Sequence, residues 1–199
     1  MSILLRPAGM KAEEALRFTT IAAVAVAEAI EEVTGTDARI KWVNDIYVNE
    51  RKVCGILTEA SFDLESGTLD YAIVGIGINV YTPDNGFPEE LKGIAGSVCG
   101  PAGDCGIADC RSLLAAAVLE RFARYCADPD RTYIGKYRDR CFVIGRNIDV
   151  IAAGSDPVRA TATGLDDECR LLVRYEDGTT ASLSSGEISI RFERNNYND

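Results

Sequence analysis

Glycine alternates with branched apolar residues in the segment IVGIGINV, at residues 73–80. Because successive side chains of a β-strand point to opposite faces of its sheet, Gly75, Gly77 and Asn79 share one face, and the valines and isoleucines share the other. A glycine inside a strand weakens that strand and often marks a position where a ligand or another backbone approaches closely. The segment therefore predicts a sheet with one buried apolar face and one bare face that ends at an amide. Close packing of a helix on the glycines is the alternative, and the spacing does not fit a GxGxxG phosphate loop.

Other strands are expected around this segment. Apolar, β-branched runs predict strands at residues 39–48, 52–60 and 69–81, joined by polar turns, which is typical of an antiparallel meander. A short strand is expected at residues 3–5. These strands would form the sheet to which the glycine-bearing face belongs.

Three polar residues interrupt the strand pattern in KWVNDIYVNERKVCGILTE, at residues 41–59: Asn44, Asp45 and Lys52. A buried amide or carboxylate without a partner costs about 1–3 kcal/mol. The three residues either face a ligand, or Asn44 and Asp45 satisfy their own backbone in an Asx turn or a bulge while Lys52 is a solvated charge. The residues alone leave both interpretations open.

The glycines and the polar residues together are typical of a ligand groove. Gly55 is a further bare strand position, and it would lie across neighbouring strands from Gly75 and Gly77. A groove with a glycine floor and a rim of Lys, Asp and Asn suits a flat ligand joined to a phosphate, because a lysine neutralises charge on phosphate oxygens. A carboxylate and an amide are also suitable groups to hold Mg²⁺ or a ribose.

Helices and a second group of strands complete the predicted fold. Alanine-rich composition and apolar residues at helical spacing predict a helix at residues 11–33. Two more helices are expected at residues 109–127, with Asp109 as the N-cap, and at 133–140. From about residue 141 the chain has short β-branched runs with a strong hairpin turn at 176–178, and this pattern predicts a small barrel.

Composition excludes several kinds of chemistry. The chain contains no histidine, which removes Ser-His-Asp triads, Cys-His nucleophiles and ordinary histidine zinc sites. Its formal net charge of −10 argues against non-specific nucleic-acid binding and against an anionic membrane surface. The apolar run at residues 21–30 is too short for a membrane span, and the first residues do not form a signal peptide.

The chain has seven cysteines, none in CxxC spacing. We interpret them as reduced, mostly buried thiols of a cytoplasmic protein. A redox or metal role is the alternative for Cys99, Cys105 and Cys110, which share one glycine-rich stretch.

Four segments in this order resemble the biotin protein ligase family: KWVNDIYV, RKVCGILTE, IVGIGINV and SSGEISIR. The resemblance covers nearly the whole chain, with Val43 where the family usually has proline. It implies an α+β fold, a mixed sheet with helices of the class II aminoacyl-tRNA synthetase and biotin ligase type, followed by a small SH3-like β-barrel. A partial catalytic domain is expected at residues 1–143, the SH3-like domain at 144–194 and a tail at 195–199.

The resemblance also implies a two-step reaction. Biotin and ATP, with Mg²⁺, would give biotinyl-5′-AMP and pyrophosphate, and a lysine of a biotin carboxyl carrier protein would then take the biotinyl group. The catalytic residues implied by the motifs are Lys52 and Asp45. The implied biotin-binding residues are Lys52, Gly55, Ile56, Leu57 and Gly75. The implied adenylate-binding residues are Asn44, Asp45, Lys52, Gly77, Ile78 and Asn79, and Asp45 and Asn79 are the implied metal ligands.

One departure from the family bears on activity. Family members carry an S-T-N-type segment and a G-R-G-R-x-G-R loop upstream of the match to MSILLRP, and these 199 residues contain neither that loop nor an N-terminal helix-turn-helix. We therefore expect a partial ligase, with a homodimer left open. The alternatives are a lipoate or octanoate ligase and a catalytically incomplete module that binds a carrier domain or dimerises by strand addition.

Overall fold

The computed structural model describes residues 1–63, 65–101, 106–152, 155–184 and 188–192, and these form a mixed α+β fold with two antiparallel sheets. A 3₁₀ turn at Ala12–Ala15 precedes the first helix and another lies at Glu89–Leu91. The α-helices are α1 (Leu16–Thr34), α2 (Cys110–Cys126) and α3 (Tyr133–Arg140). The strands are β1 (Ser2–Leu5), β2 (Arg39–Lys41), β3 (Asp45–Val48), β4 (Arg51–Phe62), β5 (Leu69–Ile78), β6 (Asn147–Ala152), β7 (Val158–Leu165), β8 (Leu171–Tyr175), β9 (Thr180–Leu183) and β10 (Ile188–Phe192).

The first sheet has five strands in the order β1-β5-β4-β3-β2, so the expected antiparallel meander is present. Helix α1 packs on one face, and α2 and α3 pack on α1. Val74 and Ile76 of β5, with Cys54 and Ile56 of β4, point to the α1 side and are at most 3% exposed. The many fully buried alanines of α1 allow this helix to lie close to the sheet.

The opposite face of this sheet carries the glycines. A Cβ atom added to Gly75 or Gly77 would have only a carbonyl oxygen within 4 Å. Within the described residues no helix packs on these glycines, so the alternative of close helix packing is wrong.

Some predicted boundaries and one predicted helix cap differ in the structure, and the strand expected at residues 69–81 ends at Ile78. The strand expected at residues 39–48 is divided into β2 and β3 by a turn at 42–44, in which the Trp42-Val43 peptide bond is cis. The first α-helix begins at Leu16 rather than at residue 11, because a 3₁₀ turn comes before it. Asp109 is the N-cap of α2, but it has a left-handed φ of 53° and its side chain makes no capping hydrogen bond.

The second sheet has the order β10-β6-β7-β8-β9. The predicted barrel is not closed among the described strands, where β9 and β10 are the two edges. The hairpin turn at residues 176–178 joins β8 to β9 as expected, with Gly178 at a φ of 87°. Residues 185–187 of the SSGEISIR motif, Cys105 and the expected tail at 195–199 lie outside the described residues.

Two side chains from the first part of the chain bind the loop between β7 and β8. The indole Nε1 of Trp42 donates to the carbonyl oxygen of Cys169 at 3.0 Å, and the Arg131 guanidinium donates to both carboxylate oxygens of Glu168. None of the α-helices in the described ranges is both long and apolar enough to cross a membrane.

Candidate functional site

An open groove of about 480 Å³ lies on the uncovered face of the first sheet, where β3, β4 and β5 run side by side. This volume is within the range of small-molecule sites, roughly 300–1,000 Å³. The residues that line the groove are Asn44, Asp45, Lys52, Gly55, Ile56, Leu57, Gly75, Ile76 and Gly77.

The floor of the groove is formed by glycines on neighbouring strands. Gly55 pairs with Gly77, and Leu57 pairs with Gly75. A Cβ on Gly75 would lie 3.5 Å from the Leu57 carbonyl oxygen, and one on Gly77 would lie 3.8 Å from that of Gly55. Both distances are ordinary contacts, so the fold does not require glycine at these two positions. What the glycines provide is a bare backbone surface that a flat molecule can approach.

Lys52 reaches this face because β4 contains a bulge. Lys52 and Cys54 pair with consecutive residues of β3, so Val53 is an extra residue of β4. In a regular strand Lys52 and Gly55, three positions apart, would point to opposite faces. The bulge turns them to the same face, and a Cβ on Gly55 would lie 3.4 Å from both Cε and Nζ of Lys52.

The Lys52 ammonium forms an ion pair with Asp45 across the two strands. Nζ lies 2.5 Å from Oδ1 of Asp45, and the two side chains are 40% and 17% exposed. The carboxylate is the better-buried partner, and it holds the ammonium over Gly55. The ammonium keeps enough exposure to meet an anionic ligand in the groove.

A neighbouring segment supports the backbone of Lys52. The Lys52 N–H donates to the carbonyl oxygen of Ile94, and the Gly96 N–H donates to the carbonyl oxygen of Lys52, both at 2.9 Å. The Asn79 side chain donates from Nδ2 to the Gly96 carbonyl oxygen at 3.1 Å. Residues 94–96 therefore connect Lys52 to the end of β5, a role that the sequence did not indicate.

The turn at residues 42–44 is fixed from three directions. The Trp42 indole donates to the Cys169 carbonyl oxygen, and the hydroxyl of the buried Tyr137 donates to the Val43 carbonyl oxygen at 2.9 Å. Asn44 donates from Nδ2 to the Ile56 carbonyl oxygen at 2.7 Å and accepts a backbone hydrogen bond from Ile56 at 3.0 Å. These bonds hold Asn44 and the adjoining Asp45 at the rim of the groove.

Thiol chemistry does not suit this site. Cys54 lies on β4 behind the groove, where burial first, and then the nearby Asp45 charge, raises the pKa of its thiol to about 12. The thiolate is the nucleophilic form of cysteine, and it is scarce at neutral pH for such a group. The chemistry of the groove therefore depends on Lys52, Asp45, Asn44 and backbone groups.

The groove brings together eight of the ten predicted site residues. Ile78 and Asn79 do not line it, since Ile78 pairs with Cys54 in the ladder and Asn79 bonds to residue 96. Ile76 lines the groove without having been predicted, because the alternation placed it on the apolar face. The described residues contain no cluster of three or more cysteine, aspartate or glutamate side chains arranged to hold a metal ion.

Two family models match the chain. Residues 1–79 match the Biotin/lipoate A/B protein ligase family, and residues 143–191 match the Biotin protein ligase C terminal domain. The second match coincides with the second sheet and supports its SH3-like character.

Curated and solved relatives agree with these matches. The chain is 34% identical to the biotin--[acetyl-CoA-carboxylase] ligase of Paracoccus denitrificans over 192 residues, 89% of this chain and 74% of the relative. It is 45% identical over 104 residues to the bifunctional ligase/repressor BirA of Bacillus subtilis, which is 52% of this chain but 31% of that protein. This chain thus spans about a third of the Bacillus relative's length. The biotin protein ligase of Aquifex aeolicus, solved in complex with biotin and ATP, superimposes with a TM-score of 0.73 at 27% identity, covering 96% of this chain and 77% of that one.

Proposed function

The chain belongs to the biotin protein ligase family, and we propose that it activates biotin with ATP and transfers the biotinyl group to a lysine of a biotin carboxyl carrier protein. The observation that carries the proposal is the Lys52–Asp45 pair, which is held over a floor of three glycines. A bare floor suits a flat, extended ligand, and a partly exposed ammonium suits its phosphate or carboxylate.

In the first step, a carboxylate oxygen of biotin attacks the α-phosphorus of ATP and pyrophosphate leaves. Lys52 would lie between the two reacting groups and neutralise the negative charge that they bring together. In the second step, the carrier lysine amine attacks the carbonyl carbon of biotinyl-5′-AMP, an amide bond forms and AMP leaves. Lys52 would then stabilise the charge that returns to the phosphate, while Asp45 keeps the ammonium in place.

Two groups of lining residues suit the two halves of the adenylate. Leu57 is 64% exposed beside Gly75, and it offers an apolar surface to the ring and chain of biotin. Asn44 and Asp45 line the groove on its β3 side, where they would orient the nucleotide. The roles of Ile78 and Asn79 in adenylate binding stay predictions, and both would act through the end of β5 rather than from the groove.

Magnesium fits this arrangement only as an ion carried by the nucleotide. Among the described residues, Asp45 is the single carboxylate that lines the groove, and its Oδ1 is already paired with Lys52. Asn79 does not line the groove, and its side chain is hydrogen-bonded to Gly96 through Nδ2. Since Mg²⁺ is often bound by one or two carboxylates together with substrate phosphates, the phosphates of ATP would provide most of its ligands.

A lipoate or octanoate ligase is the second candidate, because one matching family model includes lipoate ligases. The match of residues 143–191 to the C-terminal domain of biotin protein ligases favours biotin. The test is to incubate the protein with ATP, Mg²⁺ and either biotin, lipoate or octanoate, and to measure the acyl-adenylate by mass spectrometry. We expect biotinyl-5′-AMP in excess. An excess of lipoyl- or octanoyl-AMP would favour the second candidate.

The remaining partners follow from this proposal. The carrier domain is the macromolecular partner, and we place the reaction in the cytoplasm, in keeping with six described cysteines that are not in disulfides. If the protein bound a carrier domain and formed no adenylate with any of the three acids, the incomplete binding module would replace the ligase. Strand addition at the exposed edge strand β1 is the geometry that we propose for a homodimer.

A further inference from the structure

Two cysteine sulfurs lie close together beside the segment that supports Lys52. The Sγ atoms of Cys99 and Cys110 are 3.0 Å apart, and the two residues are 7% and 0% exposed. Cys99 lies between the 3₁₀ turn at Glu89–Leu91 and α2, and Cys110 is the first residue of α2. Among the described cysteines, this is the only pair with a sulfur–sulfur contact of this kind.

The other described cysteines, Cys54, Cys126, Cys141 and Cys169, are likewise buried or half-buried. Burial raises the pKa of Cys54, Cys141 and Cys169 to about 12 and that of Cys126 to about 11. These thiols are poor nucleophiles at neutral pH. What distinguishes Cys99 and Cys110 is the short distance between their two sulfurs.

We propose that Cys99 and Cys110 are a redox-sensitive pair that forms a reversible disulfide with a peroxide or a low-molecular-weight disulfide as oxidant. With hydrogen peroxide, one thiolate attacks a peroxide oxygen, which gives a sulfenic acid and, after protonation, water. The second sulfur then displaces the hydroxyl group, the S–S bond forms and a second water leaves. Two thiols lose two electrons and two protons, and the peroxide is reduced to two waters. A disulfide bond is about 2.05 Å long, so the sulfurs need to approach by about 1 Å.

The disulfide would act on the candidate site through its neighbours in the chain. The Cys99 N–H donates to the Val80 carbonyl oxygen, and the Val98 N–H donates to that of Asn79, both at 2.9 Å. The same segment, at Ile94 and Gly96, bonds the backbone of Lys52. A covalent link from Cys99 to α2 would therefore fix the segment that supports Lys52. It would also close the chain between residues 99 and 110 into a loop, and such a cross-link stabilises the folded state.

The test is thiol mapping after oxidation of the whole chain. The protein is incubated with reduced and oxidised glutathione in varied ratio, or with hydrogen peroxide, and its free thiols are then alkylated in denaturant. Trypsin cleavage after Lys92 and Arg111 releases one peptide, residues 93–111, that contains Cys99, Cys105 and Cys110. We expect this peptide to carry three alkyl groups when reduced and one, on Cys105, when oxidised. Further cleavage before Asp104 and Asp109 should then give three fragments, of which residues 93–103 and 109–111 stay joined through the disulfide and 104–108 is released.

The matched variants are Cys99→Ser, Cys110→Ser and Cys105→Ser. Cys105→Ser should keep the disulfide, and Cys99→Ser and Cys110→Ser should lose it. Oxidation should raise the thermal unfolding midpoint of the wild type and of Cys105→Ser, and it should leave that of the other two variants unchanged. Three alkyl groups at every ratio of oxidant, or a link that includes Cys105, would overturn the proposal. The readout is covalent, so failure of the ligase assignment would not affect it.

Discussion

The ammonium nitrogen of Lys52 lies 2.5 Å from Oδ1 of Asp45, although the two residues belong to different strands. They meet on the glycine-bearing face because Val53 is an extra residue of β4. A one-residue irregularity therefore places the positive charge over the groove floor. The pair shows why polar residues interrupt two strands that otherwise have an apolar pattern: they face the open side of the sheet.

Gly77→Ala should separate ligand binding from folding. A methyl group there meets nothing closer than the Gly55 carbonyl oxygen at 3.8 Å, so the free energy of unfolding should not fall and should rise by up to about 1 kcal/mol, because alanine is less flexible in the unfolded chain. The methyl would occupy the groove floor, and we expect affinity for a biotinyl-AMP analogue to fall by about tenfold or more, which is about 1.4 kcal/mol. Urea unfolding and calorimetric titration measure the two quantities.

Gly135→Ala is the matched control for this change. Gly135 is in α3, with nothing within 4 Å of an added Cβ. The Gly135→Ala variant should gain roughly 0.5–1 kcal/mol of stability, because alanine favours a helix. Its affinity for the biotinyl-AMP analogue should not change. Equal binding by Gly77→Ala and the wild type would show that the ligand does not lie on the glycine floor.

Tyr137→Phe should loosen the turn that carries Asn44. The change removes the hydroxyl that donates to the Val43 carbonyl oxygen in a fully buried position, and we expect a loss of roughly 1–3 kcal/mol in the free energy of unfolding. Ligand affinity should fall with it, because the same turn holds Asn44 and Asp45. Tyr71→Phe, at a position 36% exposed on the open face, should change stability by less than about 0.5 kcal/mol. Similar unfolding midpoints for the two variants would contradict the role of the turn.

Glu28 should make stability depend on pH. Burial raises the pKa of this carboxyl, but hydrogen bonds from Lys136 at 2.6 Å and Tyr125 at 2.7 Å outweigh burial, and the net pKa is lowered. A lowered pKa in the folded state stabilises the protein at pH values above the unfolded pKa of about 4.3, and that contribution is lost as pH falls through the folded pKa. Glu28→Gln should therefore cost roughly 1–2 kcal/mol at pH 7 and progressively less below about pH 4.

Urea unfolding at neutral and at acidic pH checks this effect. Glu32→Gln is the control, because Glu32 also pairs with an arginine of α2 but its side chain is 61% exposed. That variant should change stability by less than about 1 kcal/mol at either pH. A loss for Glu28→Gln that is the same at both pH values would show that ionisation of Glu28 does not contribute.

Local features of the sequence predicted the sheet and its bare face. The alternation at Gly75 and Gly77 depends only on the two-residue repeat of a strand, and the alanine-rich pattern of α1 depends only on helical spacing. Both were confirmed. The groove that collects Asn44, Asp45, Lys52 and the glycines follows from the order of neighbouring strands, which the meander already indicated.

Other features depend on contacts between distant residues. The turn at residues 42–44 is stabilised by Tyr137 and by the Cys169 carbonyl, so the segment looked like part of one continuous strand. The bulge at Val53 has no turn-forming residue to mark it. The position of Asn79 depends on its bond to Gly96, and barrel closure depends on how edge strands meet rather than on the strands themselves.

The most direct measurement is a calorimetric titration of this 199-residue chain with a non-hydrolysable biotinyl-AMP analogue. We predict saturable binding by the wild type, a loss of at least about tenfold in affinity for Lys52→Ala, and no change for Lys92→Ala, an exposed lysine outside the groove. Wild-type affinity in Lys52→Ala would contradict the assignment of the groove. Absence of binding by the wild type would contradict the proposal that these residues form an adenylate site in this chain.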